Sequence, residues 1–170
     1  MNERPILFNA EMTKALLDGR KTMTRRPVKC DPSMICPNSD YKGNPWPIDE
    51  NTDDWMICPF GKVGDLIGAI EASGYVLKFK HDMPEAWAEE WKGHVFKWFE
   101  ITGVRVERVQ EISNADIGAE GACKELAGVF DCKDVSADCH RECFEPLWNS
   151  SYNNWDANPW TWVVEFKAVK

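Results

Sequence analysis

The chain has 170 residues, a formal net charge of -8, and 44% hydrophobic content that includes nine Trp and eight Phe. That suits one packed globular domain over 1–170 and excludes a disordered chain, while the acidic balance argues against a protein that grips long nucleic acid through its phosphates, which calls for a basic face. No window approaches the roughly 18 apolar residues of a membrane helix, and the start MNERPILFNAEMTK has no apolar core of signal length, so the expected setting is cytoplasmic without a membrane partner.

The first predicted element is a helix over AEMTKALLD. Asn9 is its N-cap, Glu11 lies in the first turn, Met12, Ala15 and Leu16 share a face, and Gly19 stands where a left-handed residue ends a helix. GRKTMTRR follows at 19–26, with four cations on eight positions. Read as a strand, it puts Thr22, Thr24 and Arg26 on one face and Lys21, Met23 and Arg25 on the other. Lys21 can join Thr24 only if the turn out of the helix extends through it, as its place two residues past the C-cap suggests. The segment is then a solvated cationic edge strand, a nucleic-acid patch, or one wall of an active site. In the last case a lysine crowded by Arg25 and Arg26 in a partly desolvated site loses proton affinity and can act as a base.

From 27 to about 60 the chain turns to Pro, Asn, Asp and Gly and reads as a long irregular insertion, and long loops in compact domains are more often functional or mobile than incidental. Strands are predicted at GDLIGAIEA, at YVLKF and at VFKWFEITGVRVERVQ, where Val104 and Val106 alternate with Arg105 and Glu107. Between them MPEAWAEEWKG reads as a short helix with Trp87 and Trp91 four apart. The best-marked helix starts at 114, where Ser113 and Asp116 form a capping box and Ile112 and Ile117 a hydrophobic staple. Its face continues through Ile117, Glu120, Gly121 and Lys124, which turns Glu120 inward. A carboxylate there either pairs with a cation, an arginine of GRKTMTRR for example, or carries a raised pKa suited to acid or base work.

A second insertion covers about 123–150. Its Cys132, Cys139, His140 and Cys143 match no common zinc spacing, so buried thiols are expected and no metal. In the loop NSSYNNWDANPW, Trp155 and Trp160 either stack a base while Asp156 and Asn158 read its polar edge, or they close one end of the core above an Asn158–Pro159 turn. The last segment, TWVVEFKAV, sets Trp162, Val164 and Phe166 against Val163, Glu165 and Lys167, as a terminal strand with one core face would. The order of elements predicts an α+β domain, a small mixed barrel with helices around it.

GRKTMTRR after an amphipathic helix, GKVGDLI at a strand entry, VERVQEISNADIGAEGA as strand into capped helix, and the terminal WVVEFK together resemble the ASCH family, whose fold is a PUA-like β-barrel. The correspondence leaves out the insertions at 27–60, 78–95 and 123–150. The family motif G-x-K-x-x-E-x-R falls on Gly19, Lys21, Thr24 and Arg26, with Thr24 where Glu is commoner. In GRKT-x-T-x-R the chain is similar to the bacterial branch that hydrolyses N(4)-acetylcytidine. That resemblance implies Lys21 as base, Thr24 Oγ as nucleophile or water-positioner and Glu120 as proton donor to the leaving amine, with no cofactor. Arg26 would stabilise the oxyanion or hold Glu120, beside Arg25 in the substrate site. RPILF, CPFGKVGD and WDANPWTWVVEF further resemble larger Trp-rich ASCH proteins of tailed phages and prophages. The expected function is an amidohydrolase acting on an acylated pyrimidine nucleoside or a similar small amide. The alternatives are a non-catalytic module that binds RNA or a modified base, and an ASCH-type ribonuclease.

Overall fold

The computed structural model describes residues 1–29, 35–36, 46–48, 55–72, 92–122 and 143–169. In chain order it contains β1 (Glu3–Phe8), α1 (Ala10–Leu17), β2 (Met23–Pro27), β3 (Ile35–Cys36), β4 (Trp46–Pro47), β5 (Leu66–Glu71), β6 (Lys97–Arg108), α2 (Asn114–Ala119), α3 (Glu145–Ser151) and β7 (Trp160–Ala168). The class is α+β. Five strands form one mixed sheet in the order β1-β5-β6-β7-β2, and β3 pairs with β4 inside the first insertion. The helix read at MPEAWAEEWKG up to residue 91 and the strand at YVLKF lie outside the described residues.

β1 pairs parallel with β5, and the other neighbours in the main sheet run antiparallel. The sheet is therefore open rather than a barrel closed by hydrogen bonds, with β1 and β2 at its two ends. A side chain spans the space between them: Arg26 of β2 donates from Nη2 to the Leu7 carbonyl of β1 at 2.6 Å.

α1 forms for the reasons its sequence states. Asn9 Oδ1 accepts from the Met12 amide at 2.8 Å, and Met12, Ala15 and Leu16 are buried. Gly19, at φ +72°, ends it, letting the Arg20 and Lys21 amides both donate back to the Ala15 carbonyl. Ser113 caps α2 by accepting from the Asp116 amide at 3.2 Å. The reciprocal half of the predicted capping box is replaced: the Asp116 carboxylate accepts from Arg25 and Arg105, two charged donors in place of one amide.

The main core lies between α1 and the sheet, with Ile67, Ile101, Trp162 and Val164 essentially inaccessible. A second core joins the staple pair Ile112 and Ile117 to Phe144, Trp148 and Trp155. β7 is buried on both faces over much of its length, since Val163 is as inaccessible as Val164. The one-face expectation fails because β7 is flanked by β6 and β2 and an ion network covers its second side. Among the described residues no helix is long and apolar enough to cross a membrane.

Candidate active site

The turn between α1 and β2 is clamped against the end of α2. The Thr22 amide donates to the Ala119 carbonyl at 2.8 Å, and Arg20 Nη1 reaches the Gly121 carbonyl at 3.3 Å. Gly121 makes this approach possible: at φ +77° it is left-handed, and a Cβ there would lie 2.8 Å from Ala15 Cβ and 3.3 Å from Lys21 Cβ. Glu120, the C-cap residue of α2, is thereby held against Lys21.

Lys21 does lie in the turn, ahead of β2, and shares a cleft with Thr24. Its Nζ donates to Glu120 Oε2 at 2.7 Å and to the Glu120 carbonyl at 2.9 Å, and Lys21, Thr24 and Glu120 are each only 3% exposed. Burial lowers the proton affinity of Lys21 below the ordinary lysine range; Glu120 opposes that shift, and Arg26 and Arg25 add to it. The Thr24 hydroxyl has no hydrogen-bond partner among the described residues, although its neighbours Lys21, Arg25 and Arg26 all make several.

Arg25 points to the other side of β2 and still reaches the site from behind. Nη1 donates to Glu120 Oε1 at 3.2 Å and Nη2 to Asp116 Oδ2 at 2.6 Å, while Glu107 accepts from both Nε and Nη2. Burial alone would lower its proton affinity, but Glu120 and Glu107 outweigh that and hold it above the usual arginine value, a fixed cation. Arg105 extends the network by pairing with Glu107, Asp116 and Glu165. Glu120 is therefore shared: one oxygen faces the amine of Lys21, the other a guanidinium anchored in carboxylates.

The site is a shallow cleft of about 80 Å³, open to solvent on one side. Lys21, Thr24, Arg25, Arg26 and Glu120 line one side, and Phe144, Leu147, Trp148 and Tyr152 from α3 and its flanks line the other. Sequence reading missed this second wall. Its signal was present, because Phe144, Trp148 and Tyr152 are spaced four apart and stack in series, with ring centroids at 6.2 Å and 4.5 Å. Pro146 in the first turn marks where the helix starts.

Trp155, Asp156, Asn158 and Trp160 are not brought to the cleft. Trp155 is buried in the second core, and Asp156 is exposed. Asn158, left-handed at φ +45°, turns the chain into β7 while its side chain accepts from the Gln110 amide at 3.1 Å. Trp160 lies beneath the Arg108 guanidinium at 4.3 Å. Cys132, Cys139 and His140 lie outside the described residues, Cys143 is half-buried against the second core, and among the described residues no set of three or more His, Cys, Asp or Glu is placed to hold a metal.

No protein-family model matches the chain, and no curated protein sequence matches it. Among solved structures it is similar to a protein of Enterococcus faecalis V583 described under the family model DUF984, at 12% identity and TM-score 0.49 over 99% of this chain and 80% of that one. It is also similar to an ASCH domain from Lactobacillus crispatus JV V101, at 14% identity and TM-score 0.45 over 98% and 79%. A third likeness is to the hypothetical protein PH0355, at 13% identity and TM-score 0.38 over 98% and 99%.

Proposed function

We propose that the chain is an amidohydrolase that cleaves the exocyclic amide of an acylated pyrimidine nucleoside or a similar small amide, with Lys21, Thr24 and Glu120 as the reacting groups. One observation carries this reading: a fully buried Lys21–Glu120 pair at 2.7 Å beside a threonine hydroxyl with no hydrogen-bond partner among the described residues, facing an open cleft. Burial lowers the proton affinity of Lys21, so its amine is freer to act as a base than that of a lysine in water.

As a neutral amine, Lys21 Nζ takes a proton from a water as the water oxygen bonds to the acyl carbon, and the carbonyl becomes an oxyanion beside the cations of β2. That proton crosses the Lys21–Glu120 hydrogen bond, and Glu120 hands it to the amide nitrogen as the C–N bond breaks, which releases a carboxylic acid and the free amine. Both groups are then as they were at the start. Thr24 Oγ orients the water, or attacks in its place to form an ester that a water then opens.

A second reading is favoured by Arg25, whose grip on Glu120 Oε1 is also what an architectural carboxylate would have. In it the pair only shapes the floor of a site that binds RNA or a modified base. Deacetylation of N(4)-acetylcytidine by the wild type, Lys21→Ala and Glu120→Ala separates the two. Turnover lost in both variants supports the hydrolase; an inactive but folded wild type moves the assignment to binding.

A further inference from the structure

Arg26 lines the cleft, and among the described residues its hydrogen-bond partners are all neutral. Nη2 donates to the Leu7 carbonyl at 2.6 Å and Nη1 to the Tyr152 hydroxyl at 3.2 Å, and the guanidinium stands 5.2 Å over the Phe8 ring. Its Nε is buried with no acceptor among the described residues. The other cations of the site are treated differently: Lys21 has Glu120, and Arg25 and Arg105 divide Glu107, Asp116, Glu120 and Glu165 between them.

The chain has 28 acidic residues against 20 Lys and Arg, so carboxylates are in excess, and yet among the described residues none pairs with this half-buried arginine. Partly desolvated charges are normally paired. Among the described residues only two of the five guanidinium N–H donors are used, both on uncharged oxygens, and the planar fork fits the paired oxygens of a phosphate or carboxylate. The Leu7 carbonyl and Tyr152 hydroxyl hold the fork in place without cancelling its charge. Tyr152 Oη, having accepted from Arg26, keeps its own proton to offer to the same anion.

We propose that Arg26, assisted by Tyr152, is the seat of an anionic group on the substrate, a phosphate or a carboxylate. The preferred amide is then an acylated nucleotide, or an acyl arm ending in an acid, rather than a neutral nucleoside. The amide part of this statement rests on the hydrolase reading above; the anion seat does not.

The test compares three substrates with the full chain: N(4)-acetylcytidine, its 5′-monophosphate, and cytidine carrying an N(4)-succinyl group. Calorimetric titrations with cytidine, cytidine 5′-monophosphate and succinate run alongside. The expected result is a kcat/KM for one anionic substrate about tenfold or more above the neutral one, the size of one charge-assisted hydrogen bond. Which anionic substrate wins identifies the source of the charge. Arg26→Gln should bring the ratio to about one and Arg26→Lys should restore part of it; inorganic phosphate should compete with the preferred substrate in the wild type, a readout that needs no variant to fold. Equal handling of all three substrates by an active wild type overturns the anion seat and leaves the hydrolase reading standing. Binding of cytidine 5′-monophosphate or succinate that depends on Arg26, with no turnover of any amide, overturns the hydrolase reading and leaves the seat.

Discussion

Lys21 and Glu120 are 99 residues apart in the chain and 2.7 Å apart in the fold. The amine comes from the turn after α1 and the carboxylate from the end of α2, and both side chains are almost fully withdrawn from water. Removing Glu120 leaves the buried Lys21 amine without its carboxylate, which typically costs about 3–5 kcal/mol, whereas removing Lys21 leaves Glu120 paired with Arg25. Glu120→Gln is expected to lower the denaturant midpoint more than Lys21→Met, and the double variant by less than the sum of the two. Additive losses would show that the pair is not coupled.

The same burial predicts a pH dependence. In the unfolded chain Lys21 holds its proton up to its ordinary value of 10.5, and in the folded protein it releases it at lower pH. Between the two values the unfolded state binds more protons, so this residue makes folding more favourable as pH rises through that window. Lys21→Met removes that slope, and paired denaturation series across alkaline pH measure the difference. If Lys21 is the base, turnover also rises with pH along a limb whose midpoint lies below 10.5.

Thr24→Val separates chemistry from architecture. The hydroxyl forms no hydrogen bond among the described residues, and valine matches threonine in shape, so stability is expected to change by no more than about 1 kcal/mol. Turnover is expected to fall by roughly two orders of magnitude or more, as loss of a reacting or water-holding group does. Equal activity in Thr24→Val and wild type would remove Thr24 from the reaction.

Gly121→Ala should damage the site through the backbone. The residue has φ +77°, and an added Cβ would come within 2.8 Å of Ala15 Cβ and press on Lys21. Left-handed strain costs about 1–3 kcal/mol, and overpacking adds about 1–3 kcal/mol. Thermal or denaturant unfolding reads this loss, and activity measured well below the transition tells whether α2 has also moved Glu120 away from Lys21.

Arg25 is the keystone of the ion network. Arg25→Met would leave Glu107, Asp116 and Glu120 near one another without their shared cation. The expected loss is about 3–5 kcal/mol. Denaturation midpoints of the variant and the wild type measure it.

Features encoded within a few residues were legible in the sequence. The Asn9 and Ser113 caps, the turn at Gly19, the Ile112–Ile117 staple and the extended WVVEF segment appear where the pattern put them. Lys21, Thr24, Arg26 and Glu120 were named from motif and helix face, and one cleft holds all four. The wall made by α3 was passed over because its aromatic spacing lay in a stretch dominated by polar loop residues.

Local sequence thus determined the caps, turns and alternation patterns, because those depend on hydrogen bonds and side-chain periods that close within one turn or one strand. Only the tertiary structure decided that Glu3–Phe8 pairs parallel with a strand beginning 63 residues later, that Arg26 spans the two ends of an open sheet, and that Glu120 is divided between Lys21 and Arg25. Those arrangements depend on which distant surfaces pack together. A parallel partner or a buried charge network is selected by burial and Coulomb terms summed over the whole domain, and short-range patterns carry no record of that sum.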